Sequence, residues 1–427
     1  MLGILEPFDQ VNEVVITAVG IVSPIGVGND EVWSSIENRT SGVRHVPELV
    51  EAELPVPICG TVVDFEAKRF VKPRKSLKVM SRETQLGFAA AEIAWHESGL
   101  DDASIDPERF GAINGANMFA PETLELAAAI HACDTGGKFD FSRWGPEGMP
   151  EIQPLWLLKF LPNMTPCHIG IFHDARGPTN SIVAGEVSGL SAIIEATNVI
   201  ERGHADLMIA GGNSSRLNWM DLMWHGSLGL TERLEDPGSI VRPFDADRDG
   251  TVSGEGAAMF ILESRQHAEA RGAKILGKVS GYGRRSEATA FSQKPSGKAI
   301  HQAIETAIER SGLAKVDIGH VNAHGLSTQY DDQIEAQAIR ETLGDVPVTA
   351  PKSYFGHLGA GSGAIELAIS LLAMQRGKIP PTLNYDTPDA TCPVNVVSEM
   401  PASEKNTVIA LNHRSTGQAV ALVIEAS

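Results

Sequence analysis

Short apolar runs alternate along the chain with longer stretches whose apolar residues recur at helical spacing. Val14–Ile21 reads as a buried strand and ends in the turn Ser23-Pro24-Ile25-Gly26. Phe110–Asn114, Ala205–Ala210 and Ala257–Leu262 read as further strands. Glu31–Glu37, Thr84–Glu97, Lys298–Glu309 and Asp332–Thr342 carry helical periodicity, and Glu122–Cys133 is compatible with a helix. Asp134–Pro150 has glycines, prolines and few periodic apolar positions, which reads as a loop or insertion. The alternation predicts an α/β fold with mostly parallel sheets.

Two segments echo each other. Ser188–Gly203 reads SGLSAIIEATNVIERG and Gly361–Gly377 reads GSGAIELAISLLAMQRG. Each has small residues, then Ala-Ile, a Glu and an apolar stripe that stops at Arg-Gly, a helix-ending signal. The echo points to a duplicated α/β unit.

Composition narrows the class. With 427 residues the chain can bury a large core without staples. Its net charge of −19 makes it a poor partner for nucleic acid or anionic lipid. Cys59, Cys133, Cys167 and Cys392 are far apart and suggest neither a disulfide framework nor a metal site. A reducing, cytoplasmic setting follows as the expectation. The first ten residues have no basic n-region, and no stretch reaches ~18 apolar residues without charge, so neither signal peptide nor membrane span is expected.

Two motifs have plain readings. Asp245–Gly250, DADRDG, starts like a calcium loop, but the required Glu falls one place early, at Glu255, so a solvated turn fits better. The glycines of Gly359–Ala364 suit close helix packing better than phosphate binding. Two histidines stand out. His324 follows strand-like VNA, and His357 lies in a Gly-rich lead into a helix, five residues after Lys352. Ligands of α/β folds bind at such ends.

Seven segments in this order resemble the elongating β-ketoacyl–acyl-carrier-protein synthases: VVITAVGIVSPIG at the start, LKFLPNM at Leu158–Met164, RGPTNSI at Arg176–Ile182, GHADLMIAGGNSS at Gly203–Ser215, RPFDADRDGTVSGEG at Arg242–Gly256, and the two histidine motifs. The resemblance implies a thiolase fold, with duplicated α/β halves layered α-β-α-β-α. It places an N-terminal half at 1–260, with an insertion near 120–165, and a C-terminal half at 261–427. It also implies a carrier-delivered phosphopantetheine arm, no other cofactor, no metal, and a homodimer or a heterodimer with a Cys-bearing ketosynthase.

In the family, a nucleophilic Cys lies nine residues after the Gly of a Gly-Pro pair. Counting from Gly177-Pro178 gives Glu186, so the resemblance implies a ketosynthase without its thiol. A carboxylate cannot carry the acyl thioester that condensation requires. By the same matching, His324 and His357 are the donors that stabilise the enolate formed on loss of carbon dioxide. Lys352 matches the lysine of the second motif, Asp332 and Glu335 the acidic pair, and Thr328 a substrate contact, whereas Leu326 replaces a usual Thr. The acyl gate is altered: Arg414 and Thr416 stand where the loop carries Phe. Glu186 and Arg414 are expected to compensate each other as an ion pair; the alternative leaves Arg414 in solvent and Glu186 protonated or bonded to backbone.

Lys68–Arg82 holds seven of the 35 basic residues. Such runs are usually solvated. The resemblance makes Lys68, Arg69, Lys72 and Arg74 the docking site for an acidic acyl carrier protein. Three functions remain open: a decarboxylase of malonyl carrier protein, a non-catalytic partner similar to a chain-length factor, and an enzyme using Glu186 as a general base.

Overall fold

The computed structural model describes residues 12–118, 121–218, 222, 229–288 and 293–427. Ten of the fourteen strands among the described residues build two half-sheets of the same design; of the other four, Asn395–Val396 adds to the outer edge of the second. The first half contains β1 (Val14–Ser23), β2 (Phe110–Gly115), β3 (Thr179–Ile182), β4 (Leu207–Ser215) and β5 (Ser253–Ser264). The second contains β6 (Gly277–Ser286), β7 (His320–Asn322), β8 (Pro347–Thr349), β9 (Thr407–His413) and β10 (Gln418–Ala426). The spatial order is β1-β5-β4-β2-β3 in one and β6-β10-β9-β7-β8 in the other, joined through β1 and β6. Adding five to a strand's number gives its counterpart, so the duplication suggested by one helix echo extends to whole half-sheets. Residue 260 lies inside β5, and the next strand starts at Gly277.

The expectation of mostly parallel sheets needs correction. β2 pairs in parallel with β3 and β4, and β7 with β8 and β9. The pairs β1–β5, β4–β5, β6–β10, β9–β10 and β1–β6 are antiparallel. A helical crossover is needed only for parallel neighbours. No helix of the duplicated set separates β4 from β5 or β9 from β10, so each pair runs back on itself.

Three helices repeat in each half: α1 (Arg82–Ser98), α2 (Met164–His173), α3 (Ser188–Glu201), then α4 (Lys298–Ser311), α5 (Gln329–Leu343), α6 (Ser362–Met374). Helices α3 and α6 are the two echoing segments. Their apolar residues, Leu190, Ile193, Ile194, Ile365, Leu367 and Ile369, form one core with inner faces of both half-sheets. The amphipathic α1 packs its alanine face on the outer side of the first sheet. Helices α4 and α5 do the same on the second. The result is the α-β-α-β-α layering of a thiolase fold.

Two glycines set the central contact. A Cβ on Gly189 would lie 2.8 Å from the Ala360 carbonyl, and one on Gly363 would lie 1.8 Å from Asn412 Oδ1. Close backbone approach thus explains the Gly-rich run before α6. The helix compatible with Glu122–Cys133 forms at Thr123–Ala132, and the loop after it contains an isolated antiparallel bridge, Asp134 to Phe139, and short helical turns. Asp245 turns inward and accepts the backbone N–H groups of Asp247, Asp386 and Thr387.

Candidate active site

A cavity of about 360 Å³ opens where the two halves meet. Glu186, Arg216, His324, His357 and His413 line its inner part, and Lys294, Gln329 and Ser415 reach solvent at its mouth. Each inner residue follows a strand end. Glu186 sits in the turn between β3 and α3; Arg216 follows β4; His324 follows β7; His357 lies between β8 and α6; His413 ends β9. The duplicated fold points these carboxyl ends at one place, so residues remote in sequence meet there.

The two expected histidines face each other with ring centroids 6.1 Å apart and planes at 87°. The Gly359 N–H donates to His357 Nδ1 at 3.0 Å. The Arg216 guanidinium, 2.8 Å from Nε2, is also an obligate donor, and a neutral ring has one accepting nitrogen. A guanidinium can turn away and a backbone amide cannot, so we assign the lone pair to Nδ1 and the proton to Nε2, which donates to Glu186 Oε1 at 3.1 Å. Burial and the Arg216 guanidinium, 2.8 Å from Nε2, hold the ring's pKa down to about 3. Asn412 Nδ2 donates to Glu366 Oε2 at 2.9 Å, which fixes the amide's orientation. The same nitrogen lies 3.3 Å from His324 Nδ1 and makes that atom the acceptor. His324 therefore also carries its proton on Nε2. Its pKa lies well below the ordinary value, through burial and the nearby Lys352. Two neutral imidazoles with Nε2–H groups are suited to receive negative charge on an oxygen.

Glu186 is almost buried at the start of α3, after Gly185 at φ +63°. Arg414 Nε lies 2.8 Å from Glu186 Oε2, and Arg216 Nη1 lies 3.8 Å from Oε1. The Arg414 contact is an ion pair rather than an aligned hydrogen bond. The expected pair therefore exists, with Arg216 as a second cation. Burial alone would raise the Glu186 pKa. The His357 hydrogen bond and the two guanidinium charges outweigh it and hold the carboxyl well below its usual range. Glu186 is a carboxylate at neutral pH. None of Cys59, Cys133, Cys167 and Cys392 lines the cavity.

Behind the imidazoles lies a layer of buried acids; burial raises the pKa of one of them, Asp332, to about 7. Glu335 accepts the N–H groups of His324 at 2.6 Å and Gly325 at 2.8 Å. Asp332 accepts those of Phe244 at 2.8 Å and Ser327 at 2.9 Å. Ser327 adopts φ +69°, a conformation unfavourable for a side-chain-bearing residue. The Asp332 bond and a bond from the Arg242 N–H to Ser327 Oγ, 2.9 Å, hold it there. The acidic pair thus shapes the loop carrying His324. Lys352 does not reach the cavity; it forms a fully buried ion pair with Glu366 of α6.

Other expected residues fall in different places. Thr328 lines the cavity and caps α5, its Oγ accepting the Asp331 N–H. Leu326 also lines the cavity. Thr416 is not brought to the site: it sits on the exposed β9–β10 turn and bonds Gln418. Lys68, Arg69 and Arg74 are exposed on short helical turns before α1 and Lys72 on the bend between those turns, with Lys68 and Arg69 near Glu66. Arg216, Glu366 and His413 escaped the sequence reading. Arg216 immediately follows the GGNSS segment, and His413 lies inside the altered gate loop; neither position marks itself as cavity-lining in one dimension.

A duplicated α/β fold, with two proton-bearing imidazoles meeting a helix N-terminus at the junction of its halves, defines a ketosynthase-type architecture. Residues 11–268 match the beta-ketoacyl synthase N-terminal domain and 276–386 its C-terminal domain; the chain belongs to the β-ketoacyl synthase family. It is 32% identical over 390 residues to 3-oxoacyl-[acyl-carrier-protein] synthase 2 of Synechocystis sp., covering 90% of each chain. A type II PKS acyl-carrier protein in complex with its ketosynthase bound to the hexaketide is a structural neighbour. It has a TM-score of 0.85 and 28% identity, over 98% of this chain and 100% of that one. The ishigamide ketosynthase/chain length factor matches at TM-score 0.84 and 25% identity, over 97% of this chain and 99% of that one. Among the described residues, no helix is long and apolar enough to cross a membrane.

Proposed function

We propose that the chain acts on acyl-carrier-protein thioesters of fatty-acid or polyketide-type biosynthesis and does not condense them. It removes the carboxylate of a malonyl-type carrier thioester, with His324 and His357 donating to the thioester oxygen as it gains charge. Glu186 takes the place of the family's nucleophilic cysteine. The phosphopantetheine arm arrives with the carrier protein, which docks on Lys68, Arg69, Lys72 and Arg74. Thr328 and Arg414 contact the arriving thioester.

The observation that carries this reading is the state of Glu186. It is an ionised carboxylate paired with Arg414 at 2.8 Å, at the start of a central helix and hydrogen-bonded to His357. A carboxylate is a weak nucleophile toward acyl carbon, so no stable acyl-enzyme forms. Its own charge would repel a malonyl carboxylate, but the adjacent guanidinium opposes that field. In the free protein Glu186 holds the His357 donor; a thioester oxygen takes that donor over while the arginines retain Glu186. Lys352 positions α6 rather than touching substrate.

Incubation with malonyl carrier protein, followed by intact-protein mass spectrometry, tests the proposal. Acetyl carrier protein without an adduct on this chain is expected. A labelled peptide containing Glu186, or condensation without a partner, would overturn it.

A second reading is a chain-length-factor-like partner of a Cys-bearing ketosynthase. One observation favours it. Strand β3 ends the sheet order, and Ile171, Phe172 and Val183 beside it are exposed. An open edge with apolar flanks suits strand pairing with a second chain of this fold, identical or not. A stable heterodimer on co-purification, with no turnover by this chain alone, would select that reading.

A further inference from the structure

Decarboxylation without condensation leaves a proton to be found. When the bond from the malonyl methylene to its carboxylate breaks, carbon dioxide leaves and the electron pair stays as an enolate. In condensation that pair forms a carbon–carbon bond. Here it must take up a proton to give the acetyl thioester. His324 and His357, as neutral Nε2–H donors, stabilise the oxygen, and Glu186 has no proton to give.

A third imidazole lines the same cavity. His413 is buried at the end of β9, its ring centroid 4.7 Å from that of His324 and tilted 65° to it. Its Nε2 lies 3.7 Å from Glu335 Oε2. We propose that His413 is the acid that protonates the enolate carbon, a role that rests on the decarboxylase reading above. The new C–H bond takes its proton from the imidazolium, and water entering at the mouth restores it, so one proton is consumed for each carbon dioxide released.

The groups around the ring suit this task. Glu335, Asp331 and Asp332 of α5 face it with carboxyl groups, and burial raises the pKa of Asp332 to about 7, so that this acid titrates in the same range; His324 faces it from the β7 loop as a neutral ring; Arg414 follows it in the β9–β10 turn. Burial disfavours the charged ring, but the three carboxyl groups, Glu335 foremost, outweigh burial and raise its pKa. The other two cavity imidazoles are shifted the opposite way. One site thus holds two imidazoles whose charged form is disfavoured and one whose charged form is favoured, a separation of pKa values that suits divided roles.

The test uses the full chain with malonyl carrier protein, comparing wild type with His413→Asn and His413→Gln. Carbon dioxide release and acetyl-carrier formation are followed from pH 6 to 9, and the deuterium content of the acetyl group is read in equal parts light and heavy water. The wild-type rate is expected to fall as pH rises and His413 loses its proton. Both variants, folded by circular dichroism, should be at least ~10-fold slower with unchanged KM, lose that pH limb, and show an altered deuterium ratio as water replaces the imidazolium. Variants with the wild-type rate, pH profile and deuterium ratio would overturn the His413 role while leaving the decarboxylase reading intact. Absence of carbon dioxide release from wild type would overturn both.

Discussion

The two central helices are copies, yet the acids near their N-termini live differently. Glu186, just before α3, faces the cavity and is held by Arg414, Arg216 and His357, contributed by three other segments. Glu366, in α6, faces the interior and is held by Lys352 and Asn412. Duplication supplied one scaffold twice. The cavity-side acid sits where a small molecule can displace its partner; the interior acid sits where nothing can. The first pairing is suited to chemistry and the second to positioning.

The largest effect expected from breaking this contrast is in the interior. Lys352→Met leaves a buried carboxylate without its cation, and should cost about 3–5 kcal/mol in urea denaturation. A loss below ~1 kcal/mol would mean Glu366 is satisfied by Asn412 alone. Next come the imidazoles. His324→Ala or His357→Ala should lower malonyl decarboxylation about 100- to 1000-fold, measured as carbon dioxide release, as for removal of one oxyanion donor. Full activity in both variants would remove the roles given to the two histidines, whereas no carbon dioxide release even from wild type would remove the enzyme reading and favour the partner.

The cavity-side acid should be softer. Arg414 is partly exposed and Arg216 shares the load, so the Glu186→Gln, Arg414→Gln cycle should show a coupling of about 0.5–3 kcal/mol. Additive single effects would deny the pair an energetic role. The pH dependence follows from the lowered Glu186 pKa. Its stabilising contribution is complete above the unfolded value, about 4.3, and is lost as pH falls below it. The stability gap between wild type and Glu186→Gln should therefore shrink between pH 6 and pH 3. A gap that grows on acidification would mean Glu186 is protonated in the folded state. The smallest effect is at the surface: charge reversal of Lys72 and Arg74 should weaken carrier binding and flatten its salt dependence more than reversal of Lys68 and Arg69, which Glu66 already engages.

Much of this architecture was legible in one dimension. The helix echo marked the duplicated core, and alternating apolar runs located β1, β2, β4 and β5 within a few residues. His324 and His357 stood out in their own segments; Glu186 and Arg414 came from the family resemblance, which put both at one pocket, and their pairing from charge compensation, because two lone ions near one pocket are costly unless they meet. Strand direction was not legible: an apolar run reads the same in either sense, and only the presence or absence of a crossover helix sets the pairing. Thr416 was misplaced because counting along a loop does not tell which side chains turn inward in a tight hairpin. Arg216 and His413 were missed because each is an ordinary polar residue in its own segment. The sequence determined the periodicities, the duplicated core and the residues able to carry charge. Tertiary structure alone decided which of them share a cavity, since strand ends over 200 residues apart converge only when both half-sheets close on α3 and α6.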